Sequence, residues 1–344
     1  MKRIALFLVF ALMHSWATAA SGPVTLTLWN SDSDSTKNVQ INAKCGLFYL
    51  SPDRVAVYFD IGPAHSKGDL TISTEEDEFR ILVVNGSGQV LARESVYGHP
   101  GAIDIRPGPG NGLMVGKAGS LSFYDADLHI KRSLPLRHNV LGLSYERRWN
   151  QLVITYNDDA THTRTVKFYD GDSLQVLDAF TIPEVARFVP GDRQVAVTAS
   201  GDCKRSAQVL SHQRSWDALK GLPICDTYVF LGDDTLAYSF KGHLIVVDHL
   251  GHQLLSRSLP ALATQEFQGM GYLFEFPNVS DDGSRIAFTN TDATAVLDLK
   301  SGEEVFRYSA KEPRSLIAIR PALSPDGKHL AVIDTGTLIL SSVP

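Results

Sequence analysis

Five charged residues interrupt apolar runs that otherwise read as β-strand: Asp104 and Arg106 within 103–107, Arg187 within 186–189, Glu275 within 273–276 and Arg320 within 316–323. A charge in such a run needs a partner or water, because burying it alone is costly. Gathered at one opening, these guanidiniums and carboxylates would hold an anionic or sugar-like ligand through charge-assisted bonds. Lining a wet channel, they would instead pair with one another. No catalytic group stands out. His65, His99, His138 and His162 fall in predicted loops and with Asp158 and Asp159 could form a metal site, but no local ligand spacing supports one. His243, His249 and His252 surround one predicted hairpin. Asp32 and Asp34 have a D-x-D look, yet the glycine and glutamate that complete a calcium loop are missing. The stretch Gly108-Pro109-Gly110-Asn111-Gly112 precedes no helix, so it reads as a turn and not a dinucleotide loop. There is no GxSxG, HExxH or P-loop. No metal and no cofactor is expected.

The runs that carry these charges recur. Each unit reads as an apolar strand, a turn, a second strand, a loop, a third strand, a Gly/Asp turn and a fourth strand. The first turns fall near residues 52, 107, 146, 191, 233, 282 and 326. That spacing is close to the ~40–50 residues of propeller blades. No convincing helix of three turns interrupts them. The clearest copy is Leu323-Ser324-Pro325-Asp326-Gly327, followed by an apolar run at 330–333. Proline presets φ at the first turn position, aspartate bonds its own backbone, and glycine tolerates positive φ. The predicted fold is all-β: a single β-propeller of seven four-stranded blades. The fourth blade's outer strand is unclear, around residues 216–219. The seventh unit is one strand short, and the alternating segment 24–29 would complete it. That pairing joins the chain ends and hides two sheet edges.

The chain holds 344 residues with 44% hydrophobic and 20% charged content, which fits an ordinary globular protein. A formal net charge of −6 argues against nucleic-acid binding. Glu75-Glu76-Asp77-Glu78 reads as a solvated loop. Lys2 and Arg3, an apolar run from 4 to 13 and the Ala17-Thr18-Ala19 pattern describe a cleavable signal peptide over 1–20. Residues 21–45 are then the closing strand and its loop, and 46–344 the propeller. The expected location is secreted or periplasmic, with no membrane contact after cleavage and a monomeric state.

The phrase at 323–333, with Ser51-Pro52-Asp53 and Ser280-Asp281-Asp282-Gly283, resembles the SPDG-turn repeats of WD-like and YVTN-type β-propellers, including quinoprotein amine dehydrogenase-like folds. The likeness covers about residues 46–342. The Gly-His and Trp-Asp signature of true WD repeats is absent, and Trp216-Asp217 has no counterpart in other units. The resemblance implies a non-enzymatic module that binds a protein, peptide or glycan through loops on one face and the channel mouth. Enzymes are a minority of such folds; a metal-dependent lactonase or lyase, or a dehydrogenase-like subunit, is the alternative. On that binding face fall the insertion 60–78, the connection 260–271, and both Cys203 and Cys225. A disulfide between these two is expected, leaving Cys45 over; two free thiols are the other possibility. In the chain-entropy model it would stabilise by roughly 3 kcal/mol.

Overall fold

In the computed structural model, residues 22–28, 45–61, 76–99, 103–117, 119–136, 140–184, 186–198, 208–217, 228–240, 243–258, 278–289, 293–309, 319–334 and 336–344 are described. They form seven antiparallel sheets arranged as the blades of one β-propeller. Blade 1 is Gly46–Ser51, Arg54–Ile61, Asp77–Asn85 and Val90–Gly98. Blade 2 is Asp104–Pro107, Leu113–Lys117, Ser120–Tyr124 and Ile130–Pro135. Blade 3 is Val140–Glu146, Gln151–Asp158, Thr163–Asp170 and Val176–Pro183. Blade 4 has Arg187–Gly191, Gln194–Thr198 and Gln208–Ser211. Blade 5 is Tyr228–Phe230, Thr235–Phe240, His243–Asp248 and Gln253–Ser258. Blade 6 is Asn278–Val279, Arg285–Thr289, Ala293–Asp298 and Glu304–Ser309. Blade 7 is Ile319–Leu323, His329–Asp334 and Thr337–Ser342. Its outer strand is Val24–Thr27, pairing Val24 with Leu340 and Thr27 with Thr337. Leu28 N–H extends the pairing by donating to Gly336 O at 2.8 Å. The chain's two ends thus close the ring, as the alternation at 24–29 predicts.

Each pair of neighbouring blades buries one hydrophobic cluster between them. Successive side chains on a strand point to opposite faces. In Val55-Ala56-Val57, Val55 and Val57 pack with Ala331, Ile333 and Leu338 of blade 7, while Ala56 packs with Ile105 and Val115 of blade 2. Both faces of this run are buried, so it is apolar and not alternating. The same partition recurs around the ring. Met114 and Leu121 meet Leu152 and Ile154 between blades 2 and 3. Val153 and Phe168 meet Val195 between blades 3 and 4. Ala196 meets Phe230 between blades 4 and 5, Ala237 meets Ile286 between 5 and 6, and Val296 meets Leu330 between 6 and 7. Seven clusters occupy seven interfaces. Cys45 is buried at the interface of blades 1 and 7.

Three local readings change. Asp60 and Ile61 pair with Phe79 and Glu78, so the strands of blade 1 run further into the expected insertion than the composition suggests. Asp77 and Glu78 therefore belong to a strand and not to a solvated loop. The Glu78 carboxylate accepts from Arg80 at 3.0 Å and from Ser95 Oγ at 2.8 Å. Blade 4 shows three strands among the described residues. Trp216, placed near its fourth, instead turns inward, 4% exposed, against Phe230 of blade 5. Its indole N–H donates to Gln194 Oε1 at 3.0 Å.

Candidate functional site

Alternating strand direction gives the ring two unlike faces. The first-to-second and third-to-fourth connections share the turn face; the second-to-third and blade-to-blade connections share the loop face. On the turn face of the four-stranded blades every such connection has at most five residues. Most are closed by their own side chains. Ser51, Ser280 and Ser324 each donate Oγ–H to the aspartate two residues on, at 2.6 Å in all three. Ser324 Oγ accepts His329 N–H at 2.8 Å, and Asp326 Oδ1 accepts Lys328 N–H at 3.1 Å. Burial would raise the Asp326 carboxyl, but these bonds outweigh it and hold it below its usual range. The third-to-fourth hairpins repeat a second device: Asn85, Asp125, Asp248 and Asp298 each accept two backbone N–H bonds through Oδ1.

Blade 3 departs from this. Where other first turns use Pro, Gly, Ser and Asp, it has Glu146-Arg147-Arg148-Trp149-Asn150. Arg147–Trp149 forms a single 3₁₀ turn, ended by Asn150 in the left-handed region at φ 49° and ψ 49°. Asparagine tolerates that conformation, and its amide anchors it: Oδ1 accepts from Tyr145 and Nδ2 donates to Asp172, both at 2.8 Å. The turn's long side chains reach across the ring. Arg147 Nη2 donates to Tyr49 O of blade 1. Arg148 Nη2 donates to Phe230 O of blade 5 at 2.6 Å, and its guanidinium lies 4.6 Å over the Trp149 ring. Trp149 Nε1 donates to Asp233 Oδ1 at 2.8 Å.

These spokes line one end of a channel cavity of about 440 Å³. Its walls are the inner strands, with Phe48, Leu143, Val153, Val189, Val229 and Leu323. Glu146 and Asp281 also face it. Burial pushes the Glu146 carboxyl up, opposed by Arg148 and by a bond from Ser144. The Asp281 carboxyl is raised by the same cause, against the pull of Arg147 and Arg148. Burial lowers both guanidiniums.

The charged residues singled out from the sequence fare unequally. Asp104 and Arg106 lie on the first strand of blade 2 and pair with each other at 2.7 Å, half-exposed; Arg106 lines the cavity. Arg187 and Arg320 occupy the first strands of blades 4 and 7, near the loop face. Glu275, Cys203 and Cys225 lie outside the described residues, as do the signal segment and the connection 260–271. No three His, Cys, Asp or Glu side chains among the described residues come together as a metal-ligand group. Glu146, Arg147 and Arg148 were not legible as site residues. The available signal was the departure of one turn from six that share a composition.

The fold is that of a WD-like β-propeller. Among solved structures, 87% of the chain matches 29% of Raptor from Chaetomium thermophilum, with a TM-score of 0.55 and 12% identity. The C-terminal WD40 domain of Sif2 matches with a TM-score of 0.47 and 11% identity, over 87% of this chain and 95% of that one. Hsv2 of Kluyveromyces marxianus matches at 0.47 and 13%, over 67% and 68% of the two chains. At these identities the likeness is one of fold. No protein-family model matches the chain, and no curated protein matches it.

Proposed function

We propose that this chain is an exported, non-enzymatic propeller that binds a protein, peptide or glycan partner on its loop face and channel mouth. The observation that carries the reading is the unequal length of connections on the two faces. Turn-face connections of the four-stranded blades are at most five residues long and are largely consumed by their own hydrogen bonds. The long connections 62–76, 199–207 and 259–277 all join strands at the loop face. Binding residues concentrate on loops held by a rigid scaffold. Short loops whose polar groups are already bonded have little left to offer a partner.

The test is partner recovery from the exported fraction with three proteins: wild type, an Arg187→Ala/Arg320→Ala variant at the loop face, and an Asp125→Asn/Asp298→Asn variant at the turn face. The loop-face variant is expected to lose the partner and the turn-face variant to keep it. Equal recovery by all three overturns the assignment of the face. Export is tested separately by sequencing the mature N-terminus, expected directly after Ala19 or Ala20; a mature protein beginning at Met1 overturns it.

A further inference from the structure

One inner strand is interrupted at the loop-face end of the channel. In the blade 3 strand Val140–Glu146, Val140 pairs with Tyr156 and Gly142 with Thr155, so Leu141 is an inserted residue, a β-bulge. Among the described residues, the first and second strands of blades 2, 4, 5, 6 and 7 pair without a break. The shift in blade 1 falls at the turn face, between Tyr49 and Ser51. The insertion changes which side chains face the next blade. Leu143 and Tyr145 pack into the cluster between blades 2 and 3, and strict alternation would put Leu141 there too. Val140 takes that place instead, and Leu141 is 54% exposed. The other large apolar side chains exposed among the described residues lie on fourth strands or the hairpin that enters one; Leu141 alone lies on a first strand. Single exposed leucines on an outer rim are ordinary. A leucine expelled by a bulge beside the channel is not, since bulges gather where a side chain is re-aimed next to a site.

The ground around Leu141 is open and charged. Gly142 lines the cavity of about 440 Å³, and a Cβ there would meet no heavy atom within 4 Å. On the neighbouring first strand, Arg106 Nε donates to Asp104 Oδ1 at 2.7 Å. Arg106 is half-exposed and lines the cavity, whereas Asp104 does not. The charge presented on this side of the cavity is therefore positive and within reach of a partner.

We propose that this corner of the channel mouth docks an extended peptide of a protein partner. An apolar side chain of that peptide packs on Leu141 over the notch at Gly142, and an acidic side chain accepts from Arg106. The proposal rests on the loop-face reading above and narrows its partner to a peptide. Aliphatic contact favours an apolar side chain, and a guanidinium favours a carboxylate. A neutral glycan offers neither.

The test is selection of linear heptapeptides displayed on phage against the full chain, followed by calorimetry of the most enriched peptide. Enriched sequences are expected to hold an apolar and an acidic residue together. Replacing the apolar residue by alanine, or Leu141→Ser in the protein, is expected to weaken binding about tenfold. Arg106→Gln is expected to erase the preference for Glu over Gln in the peptide. Both side chains are exposed, so urea melts of the variants are expected to match wild type; should Arg106→Gln melt early, Leu141→Ser decides alone. Enriched peptides without an apolar residue, unchanged binding to Leu141→Ser, or no enrichment each overturn the proposal, the last leaving the loop face to a glycan. In the partner-recovery experiment the two readings fail separately. A partner lost by Arg187→Ala/Arg320→Ala but kept by Leu141→Ser retains the loop face and rejects this corner; a partner kept by both rejects both.

Discussion

The first turns of blades 7 and 3 stand at the same place in the repeat and use their side chains in opposite ways. In blade 7, Ser324, Asp326 and the backbone of Lys328 and His329 satisfy one another within six residues. In blade 3, Arg147, Arg148 and Trp149 satisfy groups on blades 1 and 5, between 82 and 98 residues away in the chain. The first arrangement is complete when the hairpin forms. The second exists only when the ring is closed. A closed local turn can be copied from blade to blade without reference to its neighbours, whereas the cross-ring clasp needs its partners on blades 1 and 5 in place.

The largest expected effect comes from cutting the clasp. Arg148→Ala leaves Phe230 O without this donor and Glu146 and Asp281 without a cation. Losing a hydrogen bond from a charged donor and leaving its buried acceptor unmet costs about 2.5 kcal/mol. Asp326→Ala removes local bonds at a position that water reaches, and about 1 kcal/mol is expected. Urea melts of the two variants measure the difference directly. Equal losses would mean that the blade 3 turn is only another local turn.

A second comparison is carried by two glycines. Gly283, in the turn of blade 6, has φ +68°, and a Cβ there would lie 2.4 Å from Leu231 O of blade 5. Gly110, in the turn of blade 2, has φ +64° with nothing near. The left-handed conformation alone costs a non-glycine residue about 1–2 kcal/mol. Gly110→Ala should therefore lose about 1 kcal/mol, and Gly283→Ala about 1 kcal/mol more through its blade 5 contact, read as midpoint shifts in the same melts. If the two alanine variants melt together, the turn face is not packed between blades as described. Trp149→Phe is comparable to Gly110→Ala: it deletes the bond to Asp233 and keeps an aromatic face under Arg148, for about 1 kcal/mol.

The same contrast explains what the sequence discloses. The Ser-Pro-Asp-Gly turns were legible because their hydrogen bonds join residues two to five positions apart. The seven interfaces were legible as apolar runs, and the closing strand as an alternating segment where the last blade lacked one. Glu146-Arg147-Arg148 was not, since a charged turn looks solvated until its partners, Tyr49 and Phe230, are brought across the ring. Trp216 misled for a related reason: it reads as strand, yet packing against Phe230 decides its place. Asp104 and Arg106 stood out correctly as unusual charges, but spacing alone could not tell that they would bond to each other.

Acidification should separate the two turns by sign, with the smallest effect of the set. The Asp326 carboxyl is held low in the folded state by Ser324 and Lys328. Its contribution is present above the unfolded value, near 3.9, and is lost as pH falls below it. The Glu146 carboxyl is raised by burial. The folded state then binds more protons than the unfolded one between the unfolded value, near 4.3, and the raised value. Stability therefore falls as pH rises through that window and is partly regained on mild acidification. Glu146→Gln should remove this component and leave the acid-side loss untouched. Asp326→Asn should flatten the acid side and leave the Glu146 window in place. Urea midpoints of the wild type and both variants, taken across pH 3–7, test the pair. A Glu146→Gln profile parallel to wild type would mean that the carboxyl is not enclosed beside Arg148, and the channel floor would lose the feature that sets it apart from the six other turns.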